Sequence, residues 1–302
     1  MTARPKRPLP PLDPQPPACM VAAMAETDGE LAMSTPAWAS LGGVADATTS
    51  LIDGALALSR VRTGSVEADW HHSHLRRLVE DIRAYPPAAD ATEAAGNLRQ
   101  VLAVRYGYRG AVEDYDDLQN ADLIRVIDRR RGLPVALSIL YMHVGRAAGW
   151  ELCGLNFPGH FLVRLEHAGS RVILDPFHSG ALRSAAELRG LLKAAIGSDE
   201  ELAPHHYAPV SDQDVLLRLE NNIKVRALRR GDLDAAADSL ERMLAMAPAA
   251  GDLWREAGLV NARLNRDADA ITALERYLDL SDDDGLMREA AMLLQRLKQR
   301  GS

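Results

Sequence analysis

The sequence predicts an α+β domain followed by an all-α domain of helical repeats. Three observations support this prediction. Two helix patterns and three strand-like runs follow one another between residues 120 and 175. After residue 212 apolar residues recur at helical spacing and no strand pattern occurs. Within that last part, two segments resemble each other at a shift of 34 residues, which indicates an internal repeat.

Composition limits the function classes. The chain has 302 residues, enough for about two domains. Its formal net charge of -7 argues against a phosphate-binding surface, so no nucleic-acid partner is expected. The two cysteines, Cys19 and Cys153, are too few for a disulfide framework, which favours the cytoplasm. Because no apolar run approaches the length of a membrane helix, no membrane association is expected, and the early prolines argue against a signal peptide.

The sequence divides into three predicted parts. Residues 1–35 are rich in proline and lack periodicity, so they are predicted to be a disordered tail. An alternative is that translation starts at Met20, Met24 or Met33. Residues 36–208 are predicted to form the α+β domain, and residues 209–302 the helical repeats with a capping helix.

The first domain begins with helices. Helical spacing predicts them at residues 51–60, 71–84 and 91–106. The second of these helices begins with three histidines close together, His71, His72 and His74. One interpretation of them is a metal site. No acidic or cysteine partner is obvious beside them, so a solvated helix start is the favoured interpretation.

Helix-end signals place the next two helices. Asn120 is predicted to be an N-cap, and Arg129–Arg131 suit the last turn, with Gly132 following the helix. The helix dipole therefore explains the three arginines before nucleic-acid binding is needed. Pro134 fits the first position of the second helix, which Gly149 ends.

Three strands follow, at residues 151–157, 161–166 and 171–174, the last two joined by a turn at residues 168–170. His160 begins one strand of this hairpin and Asp175 ends the other, within cross-strand reach. A His held by a carboxylate is the base and orienter pair of a nucleophilic hydrolase. The same pair could instead be a buried contact that fixes the hairpin.

The nucleophile of such a site is missing, because no Cys, Ser or Thr starts the second helix. Two alternative nucleophiles are Ser138, one turn into that helix, and Cys153, on the predicted strand that precedes His160. Ser138 is better explained by a bond to a backbone carbonyl, and Cys153 by a small buried apolar side chain. An activated water is a further possibility.

Residues around the hairpin could bind a ligand without covalent chemistry. The candidates for this binding role are Asn156, Pro158, Gly159 and His178. His160, Asp175 and His178 could also be combined into a metal site. The favoured interpretation has no metal and no cofactor.

The C-terminal repeat aligns residues 231–248 with residues 265–282. Ala236 matches Ala270, and Leu240 matches Leu274. A period of 34 residues resembles the tetratricopeptide family over residues 216–282, with a capping helix to about Arg300. Such repeats stack on one another and provide surfaces for partners, so a protein or peptide partner is expected here.

The first domain also carries a family resemblance. The segments NADLIRVIDRRRGLPVALSILY, FPGHFLVR and ILDPF, joined to the repeats, resemble the SirB-type transglutaminase-like family over roughly residues 45–300. The resemblance implies a papain-like transglutaminase core with a helix packed on a small antiparallel sheet. It also implies a catalytic Cys at the start of that helix, where this chain has Leu133, Pro134, Val135 and Ala136. His160 and Asp175 match the base and the orienter.

Two functions follow as hypotheses. The favoured one is a non-catalytic interaction or regulatory protein, a degenerate transglutaminase-like core that binds a peptide, protein or small ligand. The alternative is a hydrolase or acyl-transfer enzyme that uses His160 and Asp175 with Cys153, Ser138 or an activated water.

Overall fold

A computed structural model describes residues 50–63, 69–197 and 201–300. The predicted tail at residues 1–35 lies outside the described residues. The helices are α1 (Leu51–Thr63), α2 (Asp69–Arg83), α3 (Ala91–Arg99), α4 (Leu123–Arg129), α5 (Pro134–Ala147), α6 (Ala185–Ile196), α7 (Asp212–Arg230), α8 (Leu233–Met246), α9 (Gly251–Arg263), α10 (Asp267–Leu280) and α11 (Asp284–Arg300). The strands are β1 (Arg109–Gly110), β2 (Arg131–Gly132), β3 (Glu151–Leu155), β4 (Leu162–His167), β5 (Ser170–Asp175), β6 (Ala181–Leu182) and β7 (Pro209–Val210).

The described chain forms two compact units. The first comprises α2 to α6 with all strands, and the second comprises α1, residues 116–121 and α7 to α11. The predicted fold class is confirmed: a small antiparallel sheet with helices is followed by helical repeats. Within the described residues, no helix combines the length and the apolar character needed to span a bilayer.

The sheet of the first unit has the order β6-β5-β4-β3-β7, and every neighbouring pair is antiparallel. Helix α5 is buried along almost its whole length and packs on β3. A side chain at Gly145 would come within 2.6 Å of the Leu152 side chain, so glycine lets Leu152 pack closely against α5. The predicted hairpin turn is present, with Ala168 and Gly169 at positive φ, as a two-residue hairpin turn requires.

The ends of α4 differ from the sequence prediction. Its N-cap is Asp122, whose carboxylate accepts a hydrogen bond from the Arg125 backbone N–H at 3.2 Å. The prediction of Asn120 as N-cap was therefore wrong, because a short 3-10 turn holds Asn120 before the helix. Arg130, not Gly132, takes the left-handed position after the helix, with φ of 58°. Gly132 instead pairs with Gly110 in a short parallel bridge.

Arg130 holds this unusual conformation within an aromatic cage. Its guanidinium lies 4.9 Å from the centre of the Tyr108 ring and 5.7 Å from that of Trp70. It also donates hydrogen bonds to the Tyr108 hydroxyl and to His74 Nε2. Cation–π contacts and hydrogen bonds together stabilise this buried arrangement.

The interpretation of His71, His72 and His74 as a solvated helix start was wrong. His74 is buried, and its Nε2 lies 3.0 Å from the Tyr108 hydroxyl. His71 is partly buried, with Nε2 at 3.0 Å from Asp128 Oδ1. The partners come from segments 34 or more residues away, so the local pattern around the histidines contained no sign of them.

His74 is expected to make stability pH-dependent. Burial, followed by the charge of Arg130, lowers the pKa of His74 to about 3. Its Nε2 accepts hydrogen bonds, so the folded protein holds the neutral ring. The unfolded chain, with a pKa near 6.5, binds more protons, so stability is complete above about pH 6.5 and falls as the pH drops towards 3, by up to about 1.4 kcal/mol per pH unit.

Urea unfolding at about pH 5 and about pH 7 measures this dependence. His74→Phe should be less stable at neutral pH but should show a shallower fall between the two pH values. His205→Gln, a change at an exposed histidine, is the control and should keep the full dependence. An equal fall in wild type and His74→Phe would contradict the assignment.

The second unit is built from paired helices. Helices α8 and α10 are equivalent elements of the 34-residue repeat, and α9 packs against both of them. Gly258 of α9 lets Leu274 of α10 approach, because a side chain there would meet Leu274 at 2.7 Å. Helix α1, which the sequence groups with the first domain, packs in this unit instead, where Arg62 forms an ion pair with buried Glu220 of α7.

Candidate functional site

A tight turn positions His160. The His160 N–H donates to the Phe157 carbonyl at 3.1 Å, with Pro158 and Gly159 between them. Proline at the second position and positive φ at the third are what a type II turn requires, and Gly159 has φ of 68°. A side chain at Gly159 would also meet Ala195 at 2.8 Å. The sequence PGH is therefore explained by backbone geometry that presents the imidazole.

Asp175 is the centre of the site. It ends β5 and caps the following turn, accepting the His178 N–H at Oδ1. Its Oδ2 lies 3.0 Å from His160 Nε2 and 2.8 Å from His178 Nδ1. Arg183 donates two further hydrogen bonds to the same oxygen, at 2.7 and 3.0 Å. The structure thus brings together His160, Asp175 and His178, and adds Arg183.

Sequence reasoning missed Arg183. It stands eight residues beyond Asp175, outside the FPGHFLVR and ILDPF segments. The short strand β6 returns the chain along β5, and the Arg183 N–H bonds to the Ile173 carbonyl at 2.8 Å. No local motif indicates that return, so only the sheet topology shows that Arg183 reaches the carboxylate.

The cluster holds Asp175 as an anion. Burial opposes its ionisation, but hydrogen bonding and charge from His160, followed by Arg183 and His178, hold the pKa of Asp175 well below its usual range. The side chain of Asp175 is fully buried, that of His160 is 14% exposed, and that of His178 is 51% exposed. An ionised carboxylate only accepts hydrogen bonds, so it places a proton on His178 Nδ1, which is hydrogen-bonded to Asp175. His160 Nε2 makes a close ion-pair contact with the same oxygen.

The same residues have the composition of a metal site. One ligand atom each from His160, Asp175 and His178 lies within 4.8 Å of the other two. However, Arg183 already places its positive charge on Asp175 Oδ2 through two N–H groups. A metal ion would have to displace that guanidinium, so the geometry favours an ion-pair cluster over metal ligation.

Helix α5 offers no nucleophile in its first turn. Leu133, which precedes the helix, and Pro134, Val135 and Ala136 are all buried. Ser138 is also fully buried, and its hydroxyl donates to the Pro134 carbonyl at 2.7 Å. The hydroxyl is therefore engaged by the helix backbone.

Cys153 lies on the sheet face opposite α5. Successive residues of a strand point to opposite faces, and Leu152 is the residue that contacts Gly145 of α5. Cys153 instead packs against the apolar cluster that includes Leu188 and Leu192 of α6. Burial raises the pKa of the Cys153 thiol. A thiol with a raised pKa, turned away from the helix start, is a poor nucleophile.

Two aromatic residues border the cluster. The ring of Phe177 stands edge-on to His160 at 6.2 Å and to Tyr115 at 5.8 Å. Tyr141 of α5 is fully buried, and its hydroxyl has no hydrogen-bond partner among the residues the structure describes. It sits where Gly180 passes, since a side chain at Gly180 would meet it at 2.8 Å. Of the candidate binding residues, Asn156 and His178 are exposed, and Pro158 is partly buried.

Comparison with known proteins agrees with this architecture. A family model described as Transglutaminase-like superfamily matches residues 69–221, and a tetratricopeptide-repeat model matches residues 223–295. A UPF0162 protein of Xylella fastidiosa is 30% identical over 255 residues, covering 81% of this chain and 89% of that protein. A UPF0162 protein of Vibrio cholerae is 28% identical over 236 residues, covering 78% and 87%.

A eukaryotic protein is similar to part of the chain. F-box only protein 21 of mouse is 30% identical over 159 residues, which cover 50% of this chain and 25% of that protein. No solved structure matches the chain.

Proposed function

Because the chain belongs to the UPF0162 family, with a transglutaminase-like domain and tetratricopeptide repeats, we propose that it is a non-catalytic interaction or regulatory protein. One observation carries the proposal. At the start of α5, where the family resemblance implies the catalytic Cys, the chain has Leu133 before the helix and Pro134, Val135 and Ala136 in its first turn, all of them buried. A degenerate core of this kind positions His160 and Asp175 but has no nucleophile beside them.

In this proposal the helical repeats recruit a protein or peptide partner. Tetratricopeptide repeats generally mediate such contacts. In this proposal the cluster around Asp175 orders the residues beside the hairpin, of which Asn156 and His178 are exposed and offer a surface for binding. We place the protein in the cytoplasm, a setting consistent with the free thiol of Cys153. No nucleic-acid partner is proposed, given the net charge of -7.

A hydrolase or acyl-transfer enzyme is the second candidate. The observation in its favour is the 3.0 Å approach of His160 Nε2 to the ionised Asp175. That arrangement could orient His160 as a base towards an activated water. Ser138 and Cys153 support it less, because one is bonded to the backbone and the other lies on the opposite sheet face.

Iodoacetamide labelling of the folded protein at about pH 6 tests the thiol version of the enzyme. Cys153 is expected to label slowly at this pH, because a partly buried thiol with a raised pKa carries little thiolate. Peptide mapping by mass spectrometry measures the labelling at this residue. Rapid labelling that His160→Ala abolishes would overturn the non-catalytic assignment.

Two further assays separate the candidates. Wild type and His160→Ala are compared for hydrolysis of ester, thioester and amide substrates, and no His160-dependent turnover is expected. The full chain is also incubated with an array of random peptides of about 12 residues, a length suited to a helical or extended recognition segment. Selective retention of a peptide class supports the interaction role, and a failure to select any class contradicts it.

A further inference from the structure

A groove opens between the two equivalent helices of the repeat. Helices α8 and α10 form its walls and α9 forms its floor, around a cavity of about 470 Å³. Small residues on the three helices, Ala237, Ala257 and Ala273, leave this space. The volume is in the range of pockets that hold one or two side chains of a ligand.

The floor of the groove is apolar and rigid. Trp254 of α9 lines the cavity, and its indole N–H donates to the Pro248 carbonyl at 2.9 Å, which fixes the ring. Trp254 also packs against the cores on both sides of α9, so it is held in place before any ligand arrives. A fixed indole is a surface on which the alkyl stem or the charged head of a basic side chain can lie.

The walls of the groove are acidic. Asp238 and Glu241 come from α8, and Asp269 comes from α10. None of the three forms an ion pair with another side chain in the part of the chain that the structure describes. The basic residue of the lining, Arg266, is engaged by Asp234 at 2.5 Å.

The carboxylates affect one another. Burial, followed by the neighbouring charge of Asp238, raises the pKa of Glu241, and Asp269 contributes in the same direction, whereas the charges of Arg242 and Arg266 act in the opposite direction. Mutual repulsion of this kind is relieved when a cation enters between the carboxylates. The groove therefore joins an apolar floor to a rim on which three carboxylates outnumber the lining cation Arg266, itself engaged by Asp234.

We propose that this groove binds a segment of a protein partner in which Lys or Arg stands beside a bulky apolar residue. The inference rests on the proposed interaction role and specifies the chemistry of the partner. The apolar side chain fills the cavity over Trp254, and the cationic head pairs with Asp238, Glu241 and Asp269. Charge complementarity selects a basic segment over an acidic or neutral one.

The peptide array described above provides the test, with the full chain as probe. Wild type is expected to retain peptides that place Lys or Arg next to Leu, Ile, Phe or Trp. Asp238→Asn with Glu241→Gln should weaken the best peptide by about tenfold in a fluorescence anisotropy titration, because two charged contacts are lost. The control is Asp252→Asn with Glu289→Gln, which removes the same charge from exposed positions of the same unit outside the groove.

Thr272→Lys gives a second variant that does not depend on removing acidic residues. Thr272 is exposed and lines the groove, so the new cation should occupy the site and block the peptide while the fold is kept. Replacing Lys or Arg of the peptide by citrulline or norleucine should weaken its binding to wild type by a similar factor. It should have little further effect on the Asp238→Asn with Glu241→Gln protein.

Other occupants would give different results. Equal binding of the neutral peptide would assign the groove to an apolar partner and overturn the proposal. Concentration-dependent self-association that Thr272→Lys abolishes would assign it to a second copy of this chain. Selection of basic peptides that is unchanged in both groove variants would overturn the groove assignment while the interaction role stands, whereas no selection at all would contradict the interaction role itself.

Discussion

Replacing Glu220 by alanine is expected to lower the free energy of unfolding by about 3–5 kcal/mol. Glu220 is fully buried in α7. Its carboxylate forms ion pairs with Arg62 of α1 and with Arg242 of α8, the latter at 3.1 Å. Removing the anion leaves the guanidinium of Arg242, which is almost buried, without its counter-charge. The cost arises from that uncompensated charge more than from the lost bonds.

Urea unfolding at neutral pH measures the effect of Glu220→Ala. Glu220→Gln keeps the shape and one acceptor oxygen, so its loss should be smaller. Glu289→Ala, at an exposed position of α11, is the control and should change stability by less than about 0.5 kcal/mol. A loss below about 1 kcal/mol in Glu220→Ala would show that the two arginines do not depend on this carboxylate.

Replacing Asp175 by alanine is expected to lower the free energy of unfolding by about 3 kcal/mol at neutral pH. His160, His178 and Arg183 all converge on this one buried carboxylate. Because these partners hold its pKa below the usual range, the contribution of Asp175 is present above about pH 4 and is lost as the pH falls further. The difference in free energy of unfolding between wild type and Asp175→Ala should therefore become smaller in strong acid.

Histidine NMR gives a second readout of Asp175→Ala. In wild type the His160 proton should reside on Nε2, which faces the carboxylate, whereas the variant should show a mixture of tautomers. His178→Ala serves as the control, because its side chain is half exposed and its removal should leave the His160 tautomer unchanged. An unchanged tautomer in Asp175→Ala would mean that His160 is oriented by another group.

The two candidate functions differ in whether a nucleophile is available beside His160 and Asp175. Asp175 and His160 lie in contact, in the positions that the family resemblance gives to an orienter and a base, but α5 begins with apolar side chains. The assays with His160→Ala decide whether the pair does more than hold the hairpin. The peptide experiments are independent of that outcome, since they address the helical repeats.

Features that depend on local spacing could be predicted from the order of residues alone. Pro134 fixed the start of α5, because proline suits the first helical turn. Residues 168–170 placed the hairpin turn that brings His160 and Asp175 within reach. The 34-residue period identified the repeat helices α8 and α10, because each unit buries the same apolar positions against its neighbours.

Contacts between distant groups became visible only in the folded chain. Arg183 reaches Asp175 because β6 turns back along β5, and His74 is buried because Tyr108 and Arg130 surround it. Arg62 likewise reaches Glu220 across 158 residues of sequence. Hydrogen bonds and ion pairs act over a few ångströms in space regardless of separation along the chain. The spacing of residues in the sequence therefore does not predict them. Burial then sets the protonation of these groups, which sequence patterns do not report.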